Sequence, residues 1–146
     1  MSNNMMARAW LKNQKVMTDI NSLYFTDNKI SGLSGKELNF ESTTESRVFY
    51  TESIDNAIIM LASGLTDKHG KPIYMDSDVV KLTITHDTVA SEKAPTVYID
   101  VVTMQDYMLT VDGFGLFNLI DFYLDCYEFE ILGNIYENPE LLGEVY

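Results

Sequence analysis

The residues of this chain that could carry out nucleophilic or acid–base chemistry begin with two histidines and one cysteine. His69 lies in a polar segment, and His86 is adjacent in sequence to Asp87, so the side chains of that pair diverge in a strand or loop. Neither histidine has the spaced partners that nucleophilic catalysis requires. Cys126 lies beside acidic residues, and carboxylates disfavour the reactive thiolate. We therefore predict no catalytic residue and no enzymatic activity.

Metal and cofactor motifs are also scarce. Asp76 and Asp78 could contact a hard cation, but no third or fourth oxygen ligand follows at loop spacing, so a solvated turn is the better interpretation. A single cysteine excludes a zinc site built on several cysteines, and the sequence contains no glycine-rich phosphate loop. We predict that the protein binds no metal and no cofactor.

Charge is the most distinctive property of the chain. Its 10 basic and 22 acidic residues give a net charge of −12. Residues 1–73 are balanced, whereas 74–146 hold two lysines and fourteen acids, and no Lys or Arg occurs from 94 to 146. Nucleic-acid phosphates and anionic membranes repel such a segment, so we expect it to bind neither directly. Its complement is a basic protein surface, although acidity can also serve solubility alone.

The carboxylates of the C-terminal half are the candidate partner-binding groups. Aromatic residues occur among them, and aromatic side chains are the usual anchors of protein interfaces. We expect these acids to form one continuous anionic face on a rigid framework. The candidates are Asp100, Asp106, Asp112, Asp121, Asp125, Glu128 and Glu130.

Alternating apolar and polar residues predict mainly β-structure. Hydrophobic residues make up 46% of the 146 residues, enough for a core, and no apolar run approaches the ~20 residues of a membrane span. The start of the chain shows no apolar signal-peptide segment. Strands are predicted at 7–10, 15–17, 48–50, 80–85, 97–102, 107–111 and 127–131, with a hairpin loop at 67–71. Residues 57–61 fit a strand, or a helix over 53–62.

Three further segments complete the predicted elements. Residues 114–125 are predicted to form an amphipathic helix, because their polar positions trace one stripe and Asp112 can serve as its N-cap. Residues 26–46 are rich in Ser, Thr, Asn and Gly, which favours a loop with at most one weak strand. Asn138-Pro139-Glu140 predicts a short terminal helical turn.

Two stretches of the sequence carry a recognisable pattern. They are FEILGNIYENPELL at Phe129–Leu142 and SGLTDKHGKPIYMDSDVVKL at Ser63–Leu82. Together with Arg8-Ala9-Trp10, they resemble the YopX protein family of small proteins encoded by phages and prophages. Residues 75–78 depart from the family pattern, which has a glutamate-glycine-aspartate there. Most of these signature residues are glycines, turn-forming polar residues and aliphatics, which more often preserve a fold than a reaction.

The resemblance implies a phage setting and a mostly β, α+β fold, and it brings no catalytic residues. We expect a single YopX-like domain over 1–146, in which 26–62 could form a small inserted lobe. The fold class is α+β and predominantly β: small antiparallel sheets or a partly open barrel, one amphipathic helix near 114–125 and a short C-terminal helical turn. The location expected is the cytoplasm of the infected bacterial host.

Three functions fit these observations. The first is a non-enzymatic, acidic interaction protein that binds a basic surface of a host or phage protein. Such a protein could inhibit a nucleic-acid-binding defence factor by DNA mimicry, in the manner of anti-CRISPR or anti-restriction proteins. The alternative is a homo-oligomeric structural or accessory protein whose charge only keeps it soluble. A nucleic-acid accessory role for the scattered N-terminal bases ranks last.

Overall fold

The structure is a computed structural model, and it describes residues 7–38, 48–85, 95–116 and 127–143. Within these ranges the chain forms antiparallel strands, one 3₁₀ turn at Ile54–Asn56 and one short helix. The strands are β1 (Ala7–Leu11), β2 (Val16–Asp19), β3 (Ser22–Thr26), β4 (Lys29–Lys36), β5 (Phe49–Ser53), β6 (Ala57–Thr66), β7 (Pro72–Tyr74), β8 (Asp78–Ile84), β9 (Thr96–Gln105), β10 (Met108–Val111), β11 (Phe114–Gly115) and β12 (Tyr127–Asn134), and the helix is α1 (Glu140–Gly143).

The prediction of a predominantly β fold is confirmed. The choice between strand and helix at 57–61 is resolved in favour of strand β6. The short terminal helical turn is present as α1, with the Leu141 amide donating to the Asn138 carbonyl at 3.1 Å. The chain divides into two compact units, Met1–Leu61 and Ala62–Tyr146. That all 146 residues act as one domain, with or without a lobe over 26–62, stays a prediction.

In the first unit, β1 pairs with β2 on one side and with the beginning of β6 on the other. A second antiparallel sheet has the strand order β3, β4, β5. The core contains Ala9 and Leu11 from β1 together with Leu33 of β4 and Ala57 of β6. Alternation places Ala9 and Leu11 on one side of β1, which explains why both enter the same core.

Residues 26–46, predicted as a loop with at most one weak strand, contain one strand, and it is the eight-residue central strand β4 (Lys29–Lys36) and not a weak one; residues 39–46 lie outside the described residues. Glycine is required at two positions of β4 because neighbouring backbone comes very close. A Cβ on Gly35 would lie 1.9 Å from the Asp19 carbonyl oxygen, and one on Gly32 would lie 2.7 Å from that of Glu52. The composition that suggested a loop therefore reflects crowding in a strand.

Gly35→Ala should destabilise the protein by about 3 kcal/mol, because the new methyl group displaces backbone that no rotamer change can move. Gly143→Ala is the matched control, since a Cβ there meets nothing within 4 Å. Urea unfolding monitored by circular dichroism measures both variants. Equal stability of the two variants would contradict the packing described for β4.

In the second unit, five strands form a sheet in the order β11, β10, β9, β8, β12. Its core takes Val80, Leu82 and Ile84 from alternate positions of β8, and Val102 and Phe129 from the flanking strands. The stacked rings of Tyr98 and Phe114, 4.8 Å apart, pack against this core. The predicted alternation is thus realised in the packing of β8. In β9 the predicted apolar side is wrong, because Val97 and Ile99 are exposed and Tyr98 and Val102 pack in the core.

The amphipathic helix predicted over 114–125 is wrong at its beginning, and residues 117–125 lie outside the described residues. Phe114 and Gly115 form β11, paired with Val111 and Thr110 of β10. Asp112 and Gly113 have φ angles of 50° and 77°, which give a two-residue hairpin turn rather than the extended backbone of an N-cap. The Asp-Gly pair is therefore a hairpin signal in this sequence.

Two further hairpins use the same kind of turn. Asp27-Asn28 joins β3 to β4, and Asp106-Tyr107 joins β9 to β10. All four residues have positive φ, between 50° and 64°, as type I′ turns require. Asp and Asn tolerate this left-handed conformation, whereas Tyr107 pays a steric cost for it and has a fully exposed side chain.

Tyr107→Gly should stabilise the protein by about 0.5–1 kcal/mol, because glycine removes the steric cost and no buried contact is lost. The change makes the β9–β10 turn identical in sequence to the Asp112-Gly113 turn. Tyr107→Asn should give a smaller gain, since Asn also tolerates positive φ. Chemical unfolding of the unchanged protein and the two variants measures their order of stability. A loss of stability in Tyr107→Gly would contradict the strained turn.

Candidate functional site

The two family-like stretches lie together in the second unit. Strand β12 pairs with β8 along its length, with Phe129 opposite Leu82 and a bulge between Ile131 and Gly133. The Lys68 amide donates to the Phe129 carbonyl at 2.8 Å, which attaches the central stretch to the C-terminal one a second time. The pattern that spans both stretches maintains one structural framework.

Asn134 organises the turn that follows β12. Its side-chain oxygen accepts hydrogen bonds from the amides of Tyr136 and Glu137, at 3.1 and 2.9 Å, and its amide group donates to the Glu137 carboxylate at 2.9 Å. The backbone amide of Asn134 donates to the Asn138 side chain at 3.2 Å. A Cβ on Gly133 would lie 2.5 Å from that same Asn138 oxygen, so a side chain there would displace the oxygen from its hydrogen bond with Asn134. These contacts assign a structural role to the C-terminal signature.

The central stretch contains a similar turn. The Asp67 carboxylate accepts the amides of His69 and Lys71, each at 2.8 Å, and Gly70 has a φ of +80°. The predicted hairpin loop is thus confirmed, and His69 is exposed within it. Because Asp67 is buried and engaged with the backbone, it positions the loop and is not available as a surface charge.

The solvated turn predicted for Asp76 and Asp78 is wrong for Asp78. This residue is only 2% exposed, and its carboxylate accepts the Tyr74 amide at 2.8 Å across the β7–β8 turn. Asp76 is exposed, with a φ of 57°. The Asp78 carboxylate therefore lies inside the turn, whereas Asp76 projects from it.

Glu128 and Glu130 lie on one side of β12, and the structure places two lysines next to Glu130. Glu130 forms an ion pair with Lys68 at 3.4 Å and is the cross-strand partner of Lys81, whereas Thr83 lies opposite Glu128. Such partly exposed pairs contribute little to stability, but they cancel local charge. The negative charge at Glu130 is therefore offset locally.

Asp100 lies on the other face of the sheet. Glu130, Lys81 and Ile99 are cross-strand neighbours and share one face, whereas Asp100 pairs with Val80 and shares the core face. Its carboxylate accepts the amide of Val101 at 2.8 Å. The expected continuous face of seven acids is thus not formed by the described residues. Two of the predicted acids, Asp121 and Asp125, lie outside the described residues.

The remaining predicted acids, Asp106 and Asp112, lie at exposed hairpin turns, and Asp76 joins them. The Asp76 amide donates to the Val102 carbonyl at 2.8 Å, and Asp112 follows Val111, the partner of Val102 on the opposite edge of β9. Asp76 and Asp112 are therefore separated by two strand spacings, which is about 10 Å. Asp106 follows Val102 by four residues, which places it about 13 Å further along the direction of β9. We name Asp76, Asp106 and Asp112 the turn aspartates.

Exposed apolar groups accompany one of the turn aspartates. Tyr107 is fully exposed at the tip of the β9–β10 hairpin, with Met104 and Met108 exposed on its two strands. Sequence reasoning missed Tyr107 as a candidate contact residue, and it also missed Asp76. The signal for Tyr107 was available: an aspartate followed by a bulky residue between two strand-like runs indicates a strained two-residue turn.

The described residues show no arrangement that points to other chemistry. Across 7–38, 48–85, 95–116 and 127–143, no three His, Cys, Asp or Glu side chains come together as a metal site. None of the helices in these ranges has the length and apolar character needed to cross a membrane. His86 and Cys126 lie outside them.

Comparison with known proteins identifies a family and a fold. The model of the family described as YopX protein matches residues 7–143. The crystal structure of protein EF1440 from Enterococcus faecalis is similar, with a TM-score of 0.53 and 20% sequence identity, covering 94% of this chain and 96% of that one. At that identity the likeness concerns the fold alone. No curated protein matches the chain.

Asn134→Ala should lower the free energy of unfolding by about 2 kcal/mol, because two backbone amides and the Glu137 carboxylate lose their partner at a buried position. Glu130→Gln is the control, and the loss of its ion pair should cost less than about 0.5 kcal/mol. Urea unfolding at one pH measures both. A cost for Glu130→Gln equal to that of Asn134→Ala would contradict the framework role of the signature.

Proposed function

Because the chain belongs to the YopX protein family and exposes acidic turns in its second unit, we propose that it is a non-enzymatic phage protein that binds a basic surface of a host or phage protein. The observation that supports this most is the set of turn aspartates. All three are exposed on one sheet, and the described part of the second unit holds ten acids against three lysines. The lysines Lys68 and Lys81 stand at β12, next to Glu130.

The contact we propose is centred on the β9–β10 hairpin. Exposed carboxylates raise the association rate with a cationic surface and fix its orientation, but each contributes little affinity. Affinity needs an apolar anchor that becomes buried, and Tyr107 beside Asp106 can supply one. Met104 and Met108 extend that apolar area, and methionine adapts readily to a partner's shape. The candidate acids Glu128 and Glu130 would then lie at the periphery.

A nucleic-acid-binding protein is the partner class that fits this charge best. Its binding groove is lined with Lys and Arg that otherwise contact phosphates, and carboxylates at the turns can occupy the same positive potential. An inhibitor of a phage-defence factor, of the anti-CRISPR or anti-restriction kind, is the specific form of the proposal. Binding of this kind should be competed by DNA.

Removal of turn charge tests the proposal. Asp106→Asn with Asp112→Asn keeps the hairpin turns, since Asn also tolerates positive φ, while it changes the net charge from −12 to −10. We expect partner binding, captured from infected cells and quantified, to weaken about tenfold. Glu128→Gln with Glu130→Gln makes the same change of charge at β12 and should weaken binding about twofold at most.

Salt provides the second measurement. Binding should weaken steeply as ionic strength rises, because exposed charges are screened over about 8 Å at physiological salt. Partners recovered equally at low and high salt would overturn the proposal. Equal losses of binding in the two double variants would also overturn the proposal, because binding would then depend on net charge and not on the turn aspartates.

A further inference from the structure

The β3–β4 hairpin of the first unit exposes an unusual amount of apolar side chain. Phe25 is 63% exposed and Tyr24 45% exposed, and Leu23 and Ile30 are also exposed. Phe25 is the cross-strand partner of Ile30, and alternation places Leu23 on the same side as Phe25. Tyr24 lies on the opposite side, where its hydroxyl contacts that of Ser34 at 3.3 Å. Both faces of the hairpin therefore carry exposed large apolar groups.

Strand β3 is also an edge. Among the described strands it pairs with β4 alone, so its other side presents backbone groups to a further strand. Natural edge strands are usually protected by lysine, proline, inward charges or bulges. The sequence Ser-Leu-Tyr-Phe-Thr of β3 contains no lysine, proline or charge. The ladder does shift register between Tyr24 and Phe25, but the extra residue, Ser31, belongs to β4, so β3 itself keeps its alternation along the edge. An apolar, uncharged edge of this kind favours strand addition.

The charges of the first unit indicate what pairs with this edge. The unit Met1–Leu61 contains seven acids and six bases, so its net charge is only −1, whereas the whole chain carries −12. Asp27 and Lys29, at the tip of the hairpin, also balance. Two copies of a chain of charge −12 repel each other, so a contact between copies is least costly where the surface is neutral.

We propose that β3 pairs with β3 of a second copy in an antiparallel, two-fold symmetric dimer. With Tyr24 on the two-fold axis, Leu23 of each copy faces Phe25 of the other, which gives a self-complementary apolar contact. The two three-stranded sheets become one continuous sheet. Because the contact is small, the dimer should dissociate at about micromolar concentration.

Sedimentation velocity of the full chain over a range of concentrations tests the proposal. We expect a monomer–dimer equilibrium that Phe25→Lys weakens at least about tenfold, because a lysine on the edge opposes strand pairing. Met104→Lys is the matched control: it makes the same change of charge at a side chain that is 56% exposed, in the second unit. It should leave the dimer unchanged, and circular dichroism should show both variants folded.

Two further measurements need no variant. Hydrogen exchange of the Ser22–Thr26 amides should slow as the protein is concentrated. Higher salt should strengthen the dimer, because it screens the repulsion between copies, which is the opposite of the response expected for the basic partner. Three results would each overturn the proposal: a monomer at every protein and salt concentration, a dimer that Phe25→Lys does not weaken, or a dimer that Met104→Lys weakens equally. None of these results tests the proposed binding of a basic partner.

Discussion

The pairing of β12 with β8 is the interaction on which the second unit depends. It joins residues that are more than forty positions apart in sequence, so a long loop must close before the ladder can form. The entropy of closure is offset by burial of Phe129 against Leu82, Ile84 and Val102. The Asn134 turn and the Lys68–Phe129 hydrogen bond then fix the register at two points. A slip of one residue would turn Phe129 outward and the glutamates inward.

This constraint gives the family-like residues a structural role. Gly133, Asn134 and Asn138 form one turn, and Asp67 with Gly70 forms another. In both turns, side-chain oxygens of Asn134, Asn138 and Asp67 accept hydrogen bonds from backbone amides. Recognition by this unit is therefore expected outside the signature, at the turns that the β8–β12 framework holds in place.

The turn aspartates serve the fold and the surface at once. A residue of positive φ must be Gly, Asn or Asp to avoid strain, so turn geometry alone accounts for a short polar residue at each position. Geometry does not account for the charge, because Asn and Gly satisfy the same backbone. Asp is chosen at 27, 76, 106 and 112, and only at 27 does a neighbouring lysine balance it in the adjoining strand. In the proposed contact, the aspartates at 76, 106 and 112 supply the negative charge that turn geometry alone does not require.

The sequence predicted the strands with clear alternation and missed others, such as β3, for physical reasons. Val80, Leu82 and Ile84 alternate with polar residues, and such a pattern has one structural solution when one face is buried. Lys29–Lys36 was expected to be at most a weak strand, because its glycines are explained only by close contacts with the backbone of Asp19 and Glu52, which are remote in sequence. The helix predicted over 114–125 is wrong at Phe114 and Gly115, which form a strand directly after the Asp112-Gly113 turn.

The acidic set was predictable in composition but not in arrangement. The lysine that pairs with Glu130 lies sixty-two residues away, so charge cancellation at β12 could not be inferred from the C-terminal half alone. Strand register places Asp100 and Glu130 on opposite faces of the sheet, because successive residues of a strand point to alternate faces. Each charged residue therefore has to be placed on a face of the sheet before a binding partner is inferred from its charge. In the second unit that step places Glu130 beside Lys68 and Lys81 and leaves the turn aspartates exposed, whereas the unit Met1–Leu61 carries a net charge of only −1. Salt is therefore expected to act in opposite directions on the two proposed contacts, the acidic one and the apolar one.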